Sequence, residues 1–219
     1  MTDDRKSSLA LIAAMLGTII TMALHPTGHD LTASGHTEAM SQLNVAVHSL
    51  ALICVPILFL GTMGLTKRLN APDRLALSGL VLFGFAEVAI MIAAAASGLI
   101  APRLIHHMLA AEPGTASVWS AVLALNGHIN QAFSLVFVVA SSAAIVLWSA
   151  AMLKNKTFAR ALGIYGCILG PVAILAVVSG HLRLNVHGFG LVILLQAIWF
   201  ITTAVQLWRS QDTNRSPAR

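Results

Sequence analysis

Six long apolar runs, at about 8–24, 44–66, 75–101, 129–152, 161–179 and 187–208, restrict this chain more than any other feature. A helix needs ~20 apolar residues to cross a bilayer, and each run is close to that length or above it. Only 10% of the 219 residues are charged and the mean hydropathy is +0.82, whereas soluble domains carry about 25% charged residues. A chain this apolar cannot cover itself with a polar surface in water. The sequence therefore predicts an all-α integral membrane protein, one six-helix transmembrane domain over residues 1–219. Outer loops are expected at 25–43 and 102–128, and a cytoplasmic tail at 209–219.

The net charge of +5 would suggest nucleic acid if it were spread over a soluble face, but its placement argues for a lipid bilayer instead. With the N-terminus inside, the inner segments hold Arg5, Lys6, Lys67, Arg68, Arg74, Lys154, Lys156, Arg160, Arg209, Arg215 and Arg219, and the outer ones only Arg103 and Arg183. This asymmetry predicts a multi-pass protein of the inner (plasma) membrane with both termini cytoplasmic. The first core ends Met22-Ala23-Leu24-His25 without a small-residue cleavage site and is read as a retained helix. Trp148 and Trp208 are expected near the inner interface and Trp119 near the outer one. Cys54 and Cys167 fall within helices without CxxC spacing and read as small buried hydrophobes.

The chain also divides into three helical hairpins, with a pseudo-threefold arrangement as one option. Each outward helix carries a glycine about three turns in, at Gly17, Gly84 and Gly170. Each returning helix opens with Leu-Asn followed by a histidine, giving His48, His128 and His187. Repeat architectures place ligands where the units meet. Pro56 and Pro171 interrupt two of the helices.

All nine histidines fall toward the outer side under this topology. His48, His128 and His187 lie 19, 26 and 22 residues from the first inner basic residue of their helices, roughly 28 to 39 Å away at ~1.5 Å per residue. His25 ends the first helix at a comparable level. Imidazole is the commonest metal ligand, so these four residues form the expected cofactor site, holding haem b or a copper ion, with zinc as the alternative. His29, His36 and His181 are further candidate metal ligands; Met40 adds a soft thioether, and His106 and His107 contribute one ligand at most. Gly127, Gly188 and Gly190 would admit a flat porphyrin, and Asn44, Asn126, Asn130, Gln131 and Asn185 would orient the rings. No CxxCH motif, HExxH motif, phosphate-binding loop or nucleophile elbow occurs.

Glu87, midway along the third run, is the other outlier, because a carboxylate at the bilayer centre costs several kcal/mol. The sequence predicts it protonated or hydrogen-bonded to Asn, Ser or His, forming a proton relay or polar gate with Asn126 and Asn185. Together these features point to a membrane metalloprotein that transfers electrons or oxidises a small molecule, with a substrate or redox partner on the outer face. Two alternatives are a divalent-metal or proton-coupled transporter using Glu87 and the outer histidines, and a zinc-dependent membrane hydrolase with Asp30 or Glu38 as acid/base. No nucleic-acid role is expected.

Overall fold

The computed structural model describes residues 3–26, 37–69 and 74–213. Its elements are α1 (Asp3–Ala23), α2 (Thr37–Arg68), α3 (Arg74–Ala95), a π-helical turn (Ala96–Ile100), α4 (Ala101–Ala110), α5 (Pro113–Asn155), α6 (Arg160–Val178) and α7 (Val186–Thr213). Six helical stretches are long and apolar enough to span a membrane, the π turn and α4 continuing α3 into one of them. Their outward surface carries many exposed large hydrophobic side chains, including Ile53, Leu60, Phe85, Leu175 and Val178 at 60–67% exposure. A surface of that kind is stable against lipid and not against water.

The helices run up and down and close into a ring. The most extensive contacts join α3 to α5, α1 to α2, and α5 to α6, and α1 closes the ring on α7. The first two hairpins, α1–α2 and α3–α5, are tightly paired, whereas α6 packs more on α5 than on its own hairpin partner α7. The arrangement therefore departs from threefold symmetry at the third hairpin. Glycine explains why: an added Cβ at Gly170 would lie 2.6 Å from the Ser142 carbonyl oxygen, so the α6 backbone lies directly against α5.

The basic end of the bundle is fastened by charge and by side-chain hydrogen bonds. Lys67 pairs with Asp3 at 3.0 Å and Arg68 with Asp4 at 3.8 Å, joining the end of α2 to the start of α1. The Arg5 guanidinium lies 5.0 Å from the centre of the Trp208 ring. Deeper in, the Ser8 hydroxyl donates to the Ala204 carbonyl at 2.7 Å, and the Asn155 amide donates to Leu69 at 2.9 Å. Trp148 is fully buried here and not at the interface. Its indole N–H is shared between the Thr66 hydroxyl and the Ala76 carbonyl, and its ring stacks on Trp199 at 6.1 Å. Buried indoles need such partners, and these partners lie inside the bundle.

Residues 102–128, expected as a loop, are almost wholly helical, as α4 and the first part of α5. Pro113 opens α5, where a missing N–H costs nothing, and Pro102 follows the π turn inside the helix that continues α3. Only Ala111 and Glu112 turn extended between the two helices, and His107 stacks on Trp119 at 4.8 Å across the corner. With 43 residues α5 is about 64 Å long, twice a ~30 Å hydrocarbon core.

The close α5–α6 seam can be tested directly. Gly170→Val is expected to lower stability by about 1–3 kcal/mol through overpacking, measured as unfolding in a mixed-micelle denaturant titration; unchanged stability would refute the seam.

Candidate functional site

The ring encloses a cavity of ≈ 420 Å³ toward the histidine end. Its walls come from α1, α2, α3, α5 and α7, with His25, Pro26, Leu184 and Asn185 at the top, and α6 contributes nothing. The floor is aromatic: Phe83 and Phe200 face the cavity, lie 5.5 Å apart, and rest on Trp148. The basic half of the bundle is thus plugged and the other half is hollow.

The π turn shapes the upper wall. A π turn displaces the regular backbone pairing, and two carbonyls here are met by side chains from neighbouring helices. Asn44 of α2 donates to Ser97 at 2.8 Å, and Asn126 of α5 donates to Ala96 at 3.0 Å. The same segment brings Gly98 against His48, where a Cβ would run into the imidazole. Glycine at this position leaves room for His48 at the cavity wall.

His25 and His48 are brought together. Their Nε2 atoms are 3.2 Å apart and their rings meet nearly edge-on, with centroids 4.7 Å apart. His25 Nδ1 lies 2.8 Å from the Pro26 carbonyl and His48 Nδ1 2.8 Å from the Asn44 carbonyl. Carbonyls only accept, so each Nδ1 carries its ring's proton in these contacts. A hydrogen bond between the two Nε2 atoms then needs one further proton shared by the pair. Burial pushes the His25 imidazole below its usual value, which opposes taking up that proton.

The remaining histidines do not join them. His128 and His187 are exposed, and neither lines the cavity. His181 is exposed and paired with the Ser179 hydroxyl at 2.8 Å. His106 and His107 are exposed on α4, and His29 and His36 lie outside the described residues. Among the described residues no group of three or more His, Cys, Asp or Glu side chains is arranged to hold a metal ion. This overturns the expected metalloprotein with haem b or copper, and removes the support for the divalent-metal transporter and the zinc hydrolase with it. The cause is helix rotation: His128 and His187 have the right depth but the wrong face.

Most of the polar residues expected to assist a metal have other duties. Asn126 holds the π turn, and Asn185 caps α7 by accepting the Gly188 N–H at 2.9 Å. Gln131 donates to the Leu184 carbonyl at 3.1 Å. Gln196 is spent on Ser141 and Ser142.

Glu87 has no such duty. It is 5% exposed, faces the cavity, and neither carboxyl oxygen has a hydrogen-bond partner. The expected Asn, Ser or His partner is therefore missing among the described residues. The Asn126–Ala96 and Trp148–Ala76 hydrogen bonds fix the register of α3 on α5 and put Glu87 level with Ser134 and Phe137. On α2, the contacts of Phe59 with Gly84 and of His48 with Gly98 put Glu87 near Pro56, eight residues or about 12 Å from the His48 level. The site is a hollow with an imidazole pair at one end, a carboxyl group at the other, and mainly apolar walls between.

Asn126→Ala would leave the Ala96 carbonyl with only the Ala101 N–H as donor and free the π turn from α5. A cost of about 0.5–1.5 kcal/mol is expected, read as faster amide hydrogen exchange across 96–101; unaltered protection there would contradict the bracing role. Compared with known proteins, the chain matches no family model, and no match was found among curated proteins or solved structures.

Proposed function

We propose that this chain is a multi-pass membrane protein that binds a lipophilic small molecule inside its bundle. The cavity end faces outward and the Lys/Arg-rich end faces the cytoplasm, as the basic-residue asymmetry favours. The observation that carries the binding reading is Glu87, a 95%-buried carboxyl group without a partner, set in the wall of a ≈ 420 Å³ cavity.

The physical argument rests on size, lining and cost. Small-molecule sites are concave, mostly apolar, and carry a few polar groups that fix orientation, with volumes of about 300–1,000 Å³. This cavity meets each criterion. Met15, Leu58, Phe137 and Ile193 provide apolar wall from four different helices. Glu87 provides two carboxyl oxygens without a hydrogen-bond partner, and Asn130 and Ser134 add polar side chains to which no hydrogen bond runs among the described residues. A purely structural carboxyl group would be expected to have found a hydroxyl or amide, as Gln196 does nearby.

The reading is tested by what co-purifies. Protein isolated in lipid nanodiscs is extracted with organic solvent and the extract weighed by mass spectrometry. A species near one per chain, enriched over the bulk lipid, is expected. Ala51 lines the cavity, so Ala51→Phe is expected to abolish that enrichment while the variant still elutes as a single folded species. Identical extracts from the two proteins would overturn the proposal.

A further inference from the structure

Resting on the cavity-binding reading above, we infer that the ligand is a lipophilic amine whose protonated nitrogen sits against Glu87 with its apolar body directed toward the His25–His48 end. Three independent features of the cavity select this chemistry.

The first is charge. Glu87 offers two oxygens without partners, and among the described residues no Lys or Arg lines the cavity to neutralise it. An ammonium brings both a positive charge and up to three donors, and a charge-assisted hydrogen bond is roughly twice as strong as a neutral one. A hydroxyl brings one donor and no charge.

The second is the acceptor count around that point. Ser134 is level with Glu87 by the register of α3 on α5. Asn130 stands one turn above it on the same face of α5, and both side chains line the cavity without a hydrogen-bond partner among the described residues. A hydroxyl oxygen and an amide oxygen are therefore within the same zone as the carboxyl group, and an ammonium has enough hydrogens to use more than one of them.

The third is aromatic. Phe83 lies one turn below Glu87 on the same helix, and Phe137 lies level with it on α5. Phe189, which packs on Phe137 with centroids 5.8 Å apart, also lines the cavity. Aromatic faces attract a desolvated cation and give nothing comparable to a neutral head group. A carboxyl group among phenylalanines favours an ammonium over an alcohol, a carbonyl or a hydrocarbon. The ~12 Å between the levels of Glu87 and His48 leaves room for a compact apolar body behind the head.

Three probes with one body and different heads decide the matter: naphthylmethylamine, naphthylmethanol and methylnaphthalene. Binding to the full chain in nanodiscs is followed by native mass spectrometry as saturable single-probe adducts. The amine is expected to bind at least tenfold more tightly than either neutral probe. In Glu87→Gln, which keeps the shape and removes the charge, that preference is expected to vanish, and in Ser134→Ala it is expected to fall a few-fold. Equal binding of all three probes, or an amine preference retained in Glu87→Gln, overturns the inference. Ala51→Phe separates this failure from that of the cavity itself. Loss of all three probes in Ala51→Phe keeps the cavity reading, whereas no saturable adduct with the original chain, or unchanged binding in Ala51→Phe, overturns both.

Discussion

Hydrocarbon offers no hydrogen-bond partner, and nearly every polar group in this bundle is placed to meet that fact. Backbone groups are satisfied within helices. Where the helix is irregular, at the π turn Ala96–Ile100, side chains of Asn44 and Asn126 reach across to the carbonyls. Where side chains are polar, they turn to one another or to a carbonyl: Trp148 to Thr66 and Ala76, Trp199 to Ser149, Gln196 to Ser141 and Ser142. These pairings bind helix to helix, so the same bonds that satisfy polar groups also fix the order of the ring. Against this background an unpartnered buried carboxyl group is informative, because the rest of the bundle shows how readily a partner can be supplied.

The two halves of the bundle solve different problems. The basic half is filled, with Trp148, Trp199, Phe83 and Phe200 forming one aromatic cluster. Large rings on neighbouring helices interlock there and leave no space. The other half has smaller residues at the wall, including Thr18, Ala51, Ala93 and Ala94, and it stays open. The seam between α5 and α6 draws α6 away from the centre, so five helices and not six surround the hollow. A ring lined by one helix fewer is uneven, which is why a threefold site at the centre does not form.

Much of the fold was legible because bilayer crossing imposes a coarse rule on composition. Apolar runs near 20 residues mark spans whatever the helices do next, and Glu87 is conspicuous for its depth alone. The site was only partly legible, because depth can be counted along a chain and rotation cannot. His48, His128 and His187 share a position in the Leu-Asn-His pattern, yet one faces the cavity and two face outward. The approach of His48 to Gly98 depends on the π turn, which shifts every later side chain around the helix axis. Nothing in the local string Ala-Ala-Ala-Ala-Ser-Gly announces that turn.

Keeping a carboxyl group like Glu87 is costly. Insertion scales put an acidic residue at the helix centre at about 3 kcal/mol, against a total stability of about 5–15 kcal/mol for a typical domain. A leucine at this position would remove that cost. Retention makes sense if the missing partner arrives from outside the chain, since a ligand bound only by the folded state returns its binding free energy as stability. Folding and ligand capture are then linked through one side chain. Under the binding proposal, that incoming group would give Glu87 the kind of pairing that Gln196 finds within the protein in Ser141 and Ser142.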